Sequence, residues 1–498
     1  MQPITRRHAM EMGGLGIAST AVGGFGLRAR LGAQSNFTPT KDTVFIEPAA
    51  LRSTRGELRV SLQAAEGPVR IAGRAATALS YNGGLPGPTL HLQPGDRLRV
   101  RLMNRLQSAT NLHVHGLHVS PEGHSDNVLV AVKPGALFDY DYQLPGNHPP
   151  GVFWYHPHHH GTVADQVFGG LYGAIIIGDP QPDLHPVPSN LERVLVISDI
   201  SLAADGSVRT ASSMDRMRGR EGDLILVNGQ VRPVIITRPG SRERWRVVNA
   251  CTSRYLRLRL DGQRLQLLGI DSGRLAQPRD IDQIVLAPGN RADLIVTTTS
   301  GTAMLRALGY DRGAPSMGGV VSRSSNTAST VLATLQVSGD AVPVLPPIAR
   351  QAVPRDLRDT PSAGRRQLTF TMGMGAGMGG GMDGGGMDGG GMDFTIDGRV
   401  FDPSRIDQVV PGGAVEEWTI ANTSSMDHPF HLHVWPMQLV EVGGQPVTAV
   451  IWQDVINVPA HSHITVRIAF ETFTGRAVYH CHILDHEDKG MMGIVHVR

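Results

Sequence analysis

Three stretches of the chain repeat one design: "LQPGDRLRVRLMNRL" (92–106), "TRPGSRERWRVVNAC" (237–251) and "VVPGGAVEEWTIANT" (409–423). Each begins with Pro-Gly, continues as a segment of alternating apolar and polar residues, and closes on Asn. A period of two places one face of a strand in a core and the other in water. The same alternation recurs in "LRVSLQ" and "ITVRIAFE", and turn clusters such as "NGGLPGP", "LPGNHPPG" and "APGNRAD" stand between such segments. No helical periodicity runs far. The 60 glycines and 33 prolines suit a chain of short strands and many turns. The expectation is an all-β protein of three similar antiparallel sandwiches. Proline-rich polar segments near residue 180 and over 345–365 mark the boundaries, giving domains at 40–180, 181–345 and 365–498.

The N-terminus has the marks of an export signal. Thr5-Arg6-Arg7 precedes 16 uncharged residues, Met12 to Leu27. That run is shorter than the ~18–20 apolar residues a spanning helix needs. The paired arginines resemble a twin-arginine signal, with cleavage expected after Ala33, so the chain is expected in the periplasm or another extracytoplasmic space. No other segment is apolar enough to span a membrane. Loss of residues 1–33 removes four arginines and one glutamate and takes the formal charge from +2 to −1. A near-neutral chain offers no electrostatic case for nucleic acid or anionic lipid as partner. Of the two cysteines, Cys251 fits a buried core thiol, whereas Cys481, in "HCH", points to a metal.

The 21 histidines are clustered. Four His-x-His pairs occur: His113/His115, His156/His158, His431/His433 and His480/His482. On a strand, residues two apart point the same way, so each pair can serve one metal or two adjacent ones. If His480 and His482 face one side, Cys481 faces the other, and two metal centres would lie back to back a few covalent bonds apart. His486 and Met491 follow Cys481 in a Cys-x4-His-x4-Met loop. With His428 they make two imidazoles, a thiolate and a thioether, the ligand set of a blue-copper electron-transfer site. Zinc competes for Cys and His but rarely takes Met.

At these residues the chain resembles the multicopper oxidase family, which includes laccases, ascorbate oxidase and bacterial copper-efflux oxidases. The family's four motifs match as HxHG at 113–116, HxH at 156–158, HPxHLH at 428–433 and HCHxxxHxxxxM at 480–491. One departure is Val434, where the family often has Gly. The resemblance implies three cupredoxin-like Greek-key β-sandwich domains and four copper ions. His428, Cys481 and His486 would bind the type 1 copper, with Met491 axial. His113 and His431 would bind the type 2 copper, and His115, His156, His158, His433, His480 and His482 the type 3 pair. The first and third domains would share this trinuclear cluster. Glu487 matches an acidic proton donor of the family, and Asp126 is the candidate second relay carboxylate. His159 and His160 have no assigned role. With all ligands in one chain, a monomer is expected.

The reductant is read from "TMGMGAGMGGGMDGGGMDGGGMDF" (371–394), in which six of the 18 methionines fall between Met372 and Met392. Its glycine content predicts a mobile loop. Thioethers are soft ligands that select Cu(I), and copper-efflux oxidases carry a methionine-rich insert here, over the type 1 copper. Met372 and Met426 match substrate-site methionines, with Asp427, Asp488 and Met492 as further donors nearby. These features favour a cuprous oxidase that protects against copper, with Cu(I) and dioxygen as substrates. The alternative is a laccase acting on phenols or aromatic amines, with the loop as a lid. A copper-free structural relative would lack most of the ligands present here, and a two-domain nitrite reductase would not need four His-x-His pairs.

Overall fold

The three sequence repeats fold into the same piece of structure. The computed structural model describes residues 43–179, 187, 191–313, 329–343, 345–374 and 392–498. The expected export signal and residues 375–391 of the glycine-methionine run lie outside the described residues. Each repeat opens on a glycine in the left-handed region, Gly95 (φ +88°), Gly240 (φ +77°) and Gly413 (φ +80°). Each of these glycines donates its N–H across the sheet, to the carbonyls of Pro145 (3.0 Å), Thr298 (2.8 Å) and Phe470 (2.8 Å). The strands that follow are Arg97–Asn104, Arg242–Asn249 and Val415–Asn422. Each runs parallel to an earlier strand of its own sandwich, Glu57–Ile71, Glu192–Ile200 or Gly364–Met374. Each also pairs antiparallel with a later strand, Leu137–Gln143, Arg291–Thr297 or Ser462–Ala469.

The closing asparagine explains itself in all three copies. Asn104, Asn249 and Asn422 are buried. Each side-chain oxygen accepts the N–H two residues on, at Leu106 (2.9 Å), Cys251 (3.1 Å) and Ser424 (3.0 Å). Each side-chain amide donates to at least two backbone carbonyls: Ser108 and Val132, Arg254 and Leu286, or Met426 and Val458. A short side chain thereby satisfies a chain reversal inside the core, where water cannot. In the third copy the reversal it holds is the approach to His428.

The protein is all-β, built as three cupredoxin-like sandwiches, with only three short helices among the described residues: α1 (Val163–Gly169), α2 (Ser213–Arg218) and α3 (Leu484–Glu487). Six sheets pair into the three sandwiches. The cores between them are packed by residues such as Leu98, Val100 and Tyr140 in the first, Leu258, Leu294 and Leu335 in the second, and Trp418, Ile420 and Ile464 in the third. In the middle strand Arg242–Asn249 the polar positions are not solvated as alternation implies. Arg244 and Arg246 are buried and pair with Asp293, and Arg244 also reaches Asp179 (2.7 Å) at the end of the first sandwich. Behind them Val152, Trp154, Val194 and Val248 form a core shared by the first two sandwiches. Both sides of that sheet are therefore covered, and the charges survive burial because they are paired.

Asn249→Ala, remote from every histidine cluster in sequence, should lower stability by about 1–3 kcal/mol by leaving buried backbone groups unpaired. The expected readout is a lower urea midpoint at unchanged slope.

Candidate metal centre

Two strand pairs, one in the first sandwich and one in the third, bring the histidines together. In the first sandwich His113–His115 is a strand paired with Gly151–His156, His113 opposite His156. In the third, His428–Leu432 pairs with Gly475–Cys481, His431 opposite His480 and Phe430 opposite Cys481. Only the first His-x-His pair lies wholly within a strand; in the other three the second histidine stands just past a strand end. Their rings still converge, with centroids 6.0, 4.7 and 5.6 Å apart. The first and third sandwiches meet ring to ring: His113 stacks on His433 and His115 on His431, both at 3.9 Å. His480 Nε2 lies 3.1 Å from His158 Nε2 and 3.2 Å from His433 Nε2.

All eight of these histidines are buried, none more than 2% exposed. Burial and their mutual repulsion push their pKa values well down, His156 to about 3. The rings are therefore neutral, each with one lone pair to give. Four are fixed in one sense, with Nδ1 donating: His113 to Asp126 (2.9 Å), His156 to the Pro157 carbonyl (2.8 Å), His431 to the Asp454 carbonyl (2.7 Å) and His480 to the Cys481 carbonyl (3.0 Å). Such partners are what metal-bound histidines have on their far nitrogen. His115 is reversed: its Nε2 meets the Asp454 carboxylate (3.0 Å) and its Nδ1 faces His156 Nε2 (3.4 Å). The inward nitrogens have nothing to accept from. His113 Nε2, His431 Nε2 and both nitrogens of His482 have no hydrogen-bond partner. Buried acceptors facing one another without a donor fit cations, and triads such as His158, His433 and His480 have the spacing to hold one.

A second group lies on the opposite side of Cys481. Its Sγ is 3.3 Å from His428 Nδ1 and 4.0 Å from His486 Nδ1, and those two nitrogens are 3.4 Å apart. His428, Cys481 and His486 can together hold one metal ion. Met491 and Met426 are fully buried in the same core, and Met372 packs against it half-buried. His428 is steadied by Ser424 Oγ at its Nε2 (2.9 Å), and the His486 ring stacks on Phe394 (4.3 Å). Val434, the departure from glycine, sits at φ +69°, a conformation that strains a β-branched residue.

The two carboxylates singled out from sequence both touch the histidines. Asp126 binds His113 Nδ1 and also accepts the Val114 N–H (3.0 Å), and burial pushes its pKa up to about 8. Glu487, fully buried, lies 3.2 Å from His480 Nδ1 and 3.5 Å from His158 Nδ1, and burial raises its pKa well above the usual range. The further donors suggested near the second group are committed elsewhere. Asp488 accepts from the N–H groups of Gly161, Val163 and Ala164 at the start of α1. Asp427 accepts from Tyr310 (2.6 Å) and Asn457 (3.0 Å), and Met492 packs in a separate small core with Val128 and Ile494. His159 and His160 stand outside the eight-histidine cluster, with His160 against Phe401 (4.8 Å).

Sequence reasoning missed the contribution of the middle sandwich. Arg291, fully buried, grips the Asp454 carboxylate with two hydrogen bonds of 2.6 Å and lies 3.2 Å from Asp271. Asp454 in turn holds His115 by its side chain and His431 by its carbonyl. Gly116, at φ +84°, leaves the room: a Cβ there would collide with Arg291 and Asp454. Arg291 lies in "APGNRAD", which reads from sequence only as a turn.

Models described as multicopper oxidase match residues 63–182, 197–325 and 380–498. The chain is 27% identical over 454 residues to the multicopper oxidase mco of Staphylococcus aureus, covering 90% of each. It is 27% identical over 475 residues to a laccase of Bacillus subtilis, covering 83% of this chain and 88% of that one. A solved structure of a Campylobacter jejuni multicopper oxidase, described as a metallo-oxidase, superposes with a TM-score of 0.79 at 29% identity, over 92% of this chain and 96% of that one.

Arg291→Met should leave two carboxylates buried without their cation. The expected cost is about 3–5 kcal/mol, read as a lower urea midpoint of the metal-free protein.

Proposed function

The chain belongs to the multicopper oxidase family, and on that premise we propose that it oxidises Cu(I) to Cu(II) and reduces dioxygen to water, with phenols as a second class of reductant. Four Cu(I) ions give four electrons, which with four protons turn one O2 into two waters. The family implies copper as cofactor, and the buried neutral imidazoles and the cysteine suit it. In this reading His428, Cys481 and His486, together with Met491, would hold a type 1 copper, His113 and His431 a type 2 copper, and the other six histidines a type 3 pair. Bound copper supplies the one-electron couple and the site of dioxygen reduction.

The chain's own residues do the rest. Cys481 and its covalent neighbours His480 and His482 join the two groups by a few bonds. Asp126 and Asp454 fix which nitrogen each of His113 and His115 presents. Glu487, beside His480 and His158, is placed to deliver protons where dioxygen is reduced, with Asp126 as the second relay. Residues 1–33 would direct export, and the three sandwiches would correspond to domains at 40–180, 181–345 and 365–498, acting as a monomer. Among the described residues no helix is long and apolar enough to cross a membrane.

The observation that carries the metal-ion reading is that methionines share the core of the cysteine-histidine group: Met426 lies within it, and Met372 packs against it opposite Phe394, whose ring stacks on His486. The relative described as a metallo-oxidase supports the same choice, whereas the laccase relative supports phenols. Met372 to Met374 belong to a strand that pairs with Met392–Ile396, Met374 opposite Met392. The insert can thus be shortened without breaking the sheet. Excising 375–391 and closing the hairpin with an Asn-Gly turn should lower kcat/KM for Cu(I) by about tenfold or more and leave phenol oxidation equal or higher. Undiminished Cu(I) turnover in the shortened protein would favour the laccase reading.

A further inference from the structure

We infer that Met217, on α2 of the middle sandwich, is a Cu(I)-binding side chain at the face of His486, so that the reductant site is built from two sandwiches rather than one. This rests on the cuprous-oxidase reading above and names a donor that no part of the third sandwich supplies. The starting point is the direction of the His486 ring. Its Nδ1 faces Cys481 and His428, so its Nε2 is the atom through which an outside reductant communicates. That Nε2 does not face solvent. It donates to the backbone carbonyl of Met217 (3.2 Å).

α2 is held there firmly. Ser212 and Asp215 form a capping box at its start. Just past its end, Arg220 grips Asp485 of α3 (2.6 Å), and Arg312 donates to the Gly219 carbonyl (2.8 Å). Gly219, at φ +74°, packs so tightly that a Cβ would meet Ile483 at 2.6 Å. A helix so anchored is a wall over the His486 edge, and a small ion held on that wall comes nearer to the ring than a bulky aromatic reductant does.

The chemistry of the wall suits such an ion. Met217 is half-buried and packs against the core that contains Cys481, Met426 and Phe394. Met372 is the other half-buried methionine on that core, and its strand position pairs it with Phe394, the ring stacked on His486. Two half-buried methionines from different sandwiches thus pack on the core around one histidine, Met217 with its carbonyl on His486 and Met372 opposite the ring stacked on it. Soft sulfur ligands favour Cu(I) over Cu(II), so the ion binds reduced, gives one electron toward His486 and leaves as Cu(II). Dioxygen remains the final acceptor, one molecule per four ions.

Met217→Leu keeps the apolar volume and removes only the sulfur. With the copper-loaded protein, Ag(I), a redox-inert ion of the same charge and softness, is titrated calorimetrically, and Cu(I) and phenol kinetics are measured in parallel. The expected result is a loss of Ag(I) affinity of about tenfold and a matching fall in the ratio of Cu(I) to phenol kcat/KM, at native blue absorption per chain. A packing role alone would shift the melting temperature without that change in ratio. Unchanged Ag(I) affinity and Cu(I) KM in Met217→Leu, with Met372→Leu and Met426→Leu impaired, would overturn the inference and leave the cuprous-oxidase reading standing. A native protein that fails to turn over Cu(I) at all would overturn both.

Discussion

Eight neutral imidazoles, packed out of reach of water with their lone pairs turned inward, dictate most of what surrounds them. Alone, such a cluster is costly, because each buried acceptor has lost its water and gained no donor. Cations remove the cost. In five of the eight rings the outer nitrogen is meanwhile tied to a carbonyl or carboxylate, so those rings cannot turn to find other partners. The fold therefore holds a set of donors ready before any metal arrives, and half of that set comes from each end of the chain.

Bringing the two ends together falls to the middle sandwich, which contributes no histidine to the cluster. Arg291 is the clearest case. One guanidinium from the second sandwich fixes a carboxylate of the third, which orients a histidine of the first. Gly289 adds a steric limit, since a Cβ there would lie 2.9 Å from the His482 ring. On the other side of Cys481, Arg220 and Arg312 secure α2 over His486. The middle sandwich thus positions both groups of candidate ligands, although the histidines and the cysteine come from its neighbours.

What could be read from sequence was what repeats or stays local. The Pro-Gly, strand, asparagine pattern carried the sandwich architecture because each element closes its own hydrogen bonds within one copy. The His-x-His spacing carried the clusters, although for three of the four pairs the second ring lies beyond the strand, and convergence comes from the turn rather than from strand alternation. The Cys-x4-His-x4-Met loop was local for the same reason. Arg291 and Asp454 were illegible because their meaning lies in a contact between segments 163 residues apart. Asp488 misled in the opposite sense: its position beside His486 and Glu487 suggested a donor, but a helix start in another sandwich uses its carboxylate. Met217 had no signal in sequence, since the histidine it meets lies 269 residues away.

If oxidation of Cu(I) at one face of Cys481 is coupled to complete reduction of dioxygen at the other, the two must run in a fixed ratio. Oxygen uptake by the copper-loaded protein reads that ratio when it is measured against Cu(I) consumed, with peroxide assayed in the same vessel. Coupling predicts one O2 consumed per four Cu(I) oxidised, with no peroxide accumulating. One O2 per two Cu(I) with stoichiometric peroxide, or Cu(I) oxidation no faster than without the protein, would contradict it.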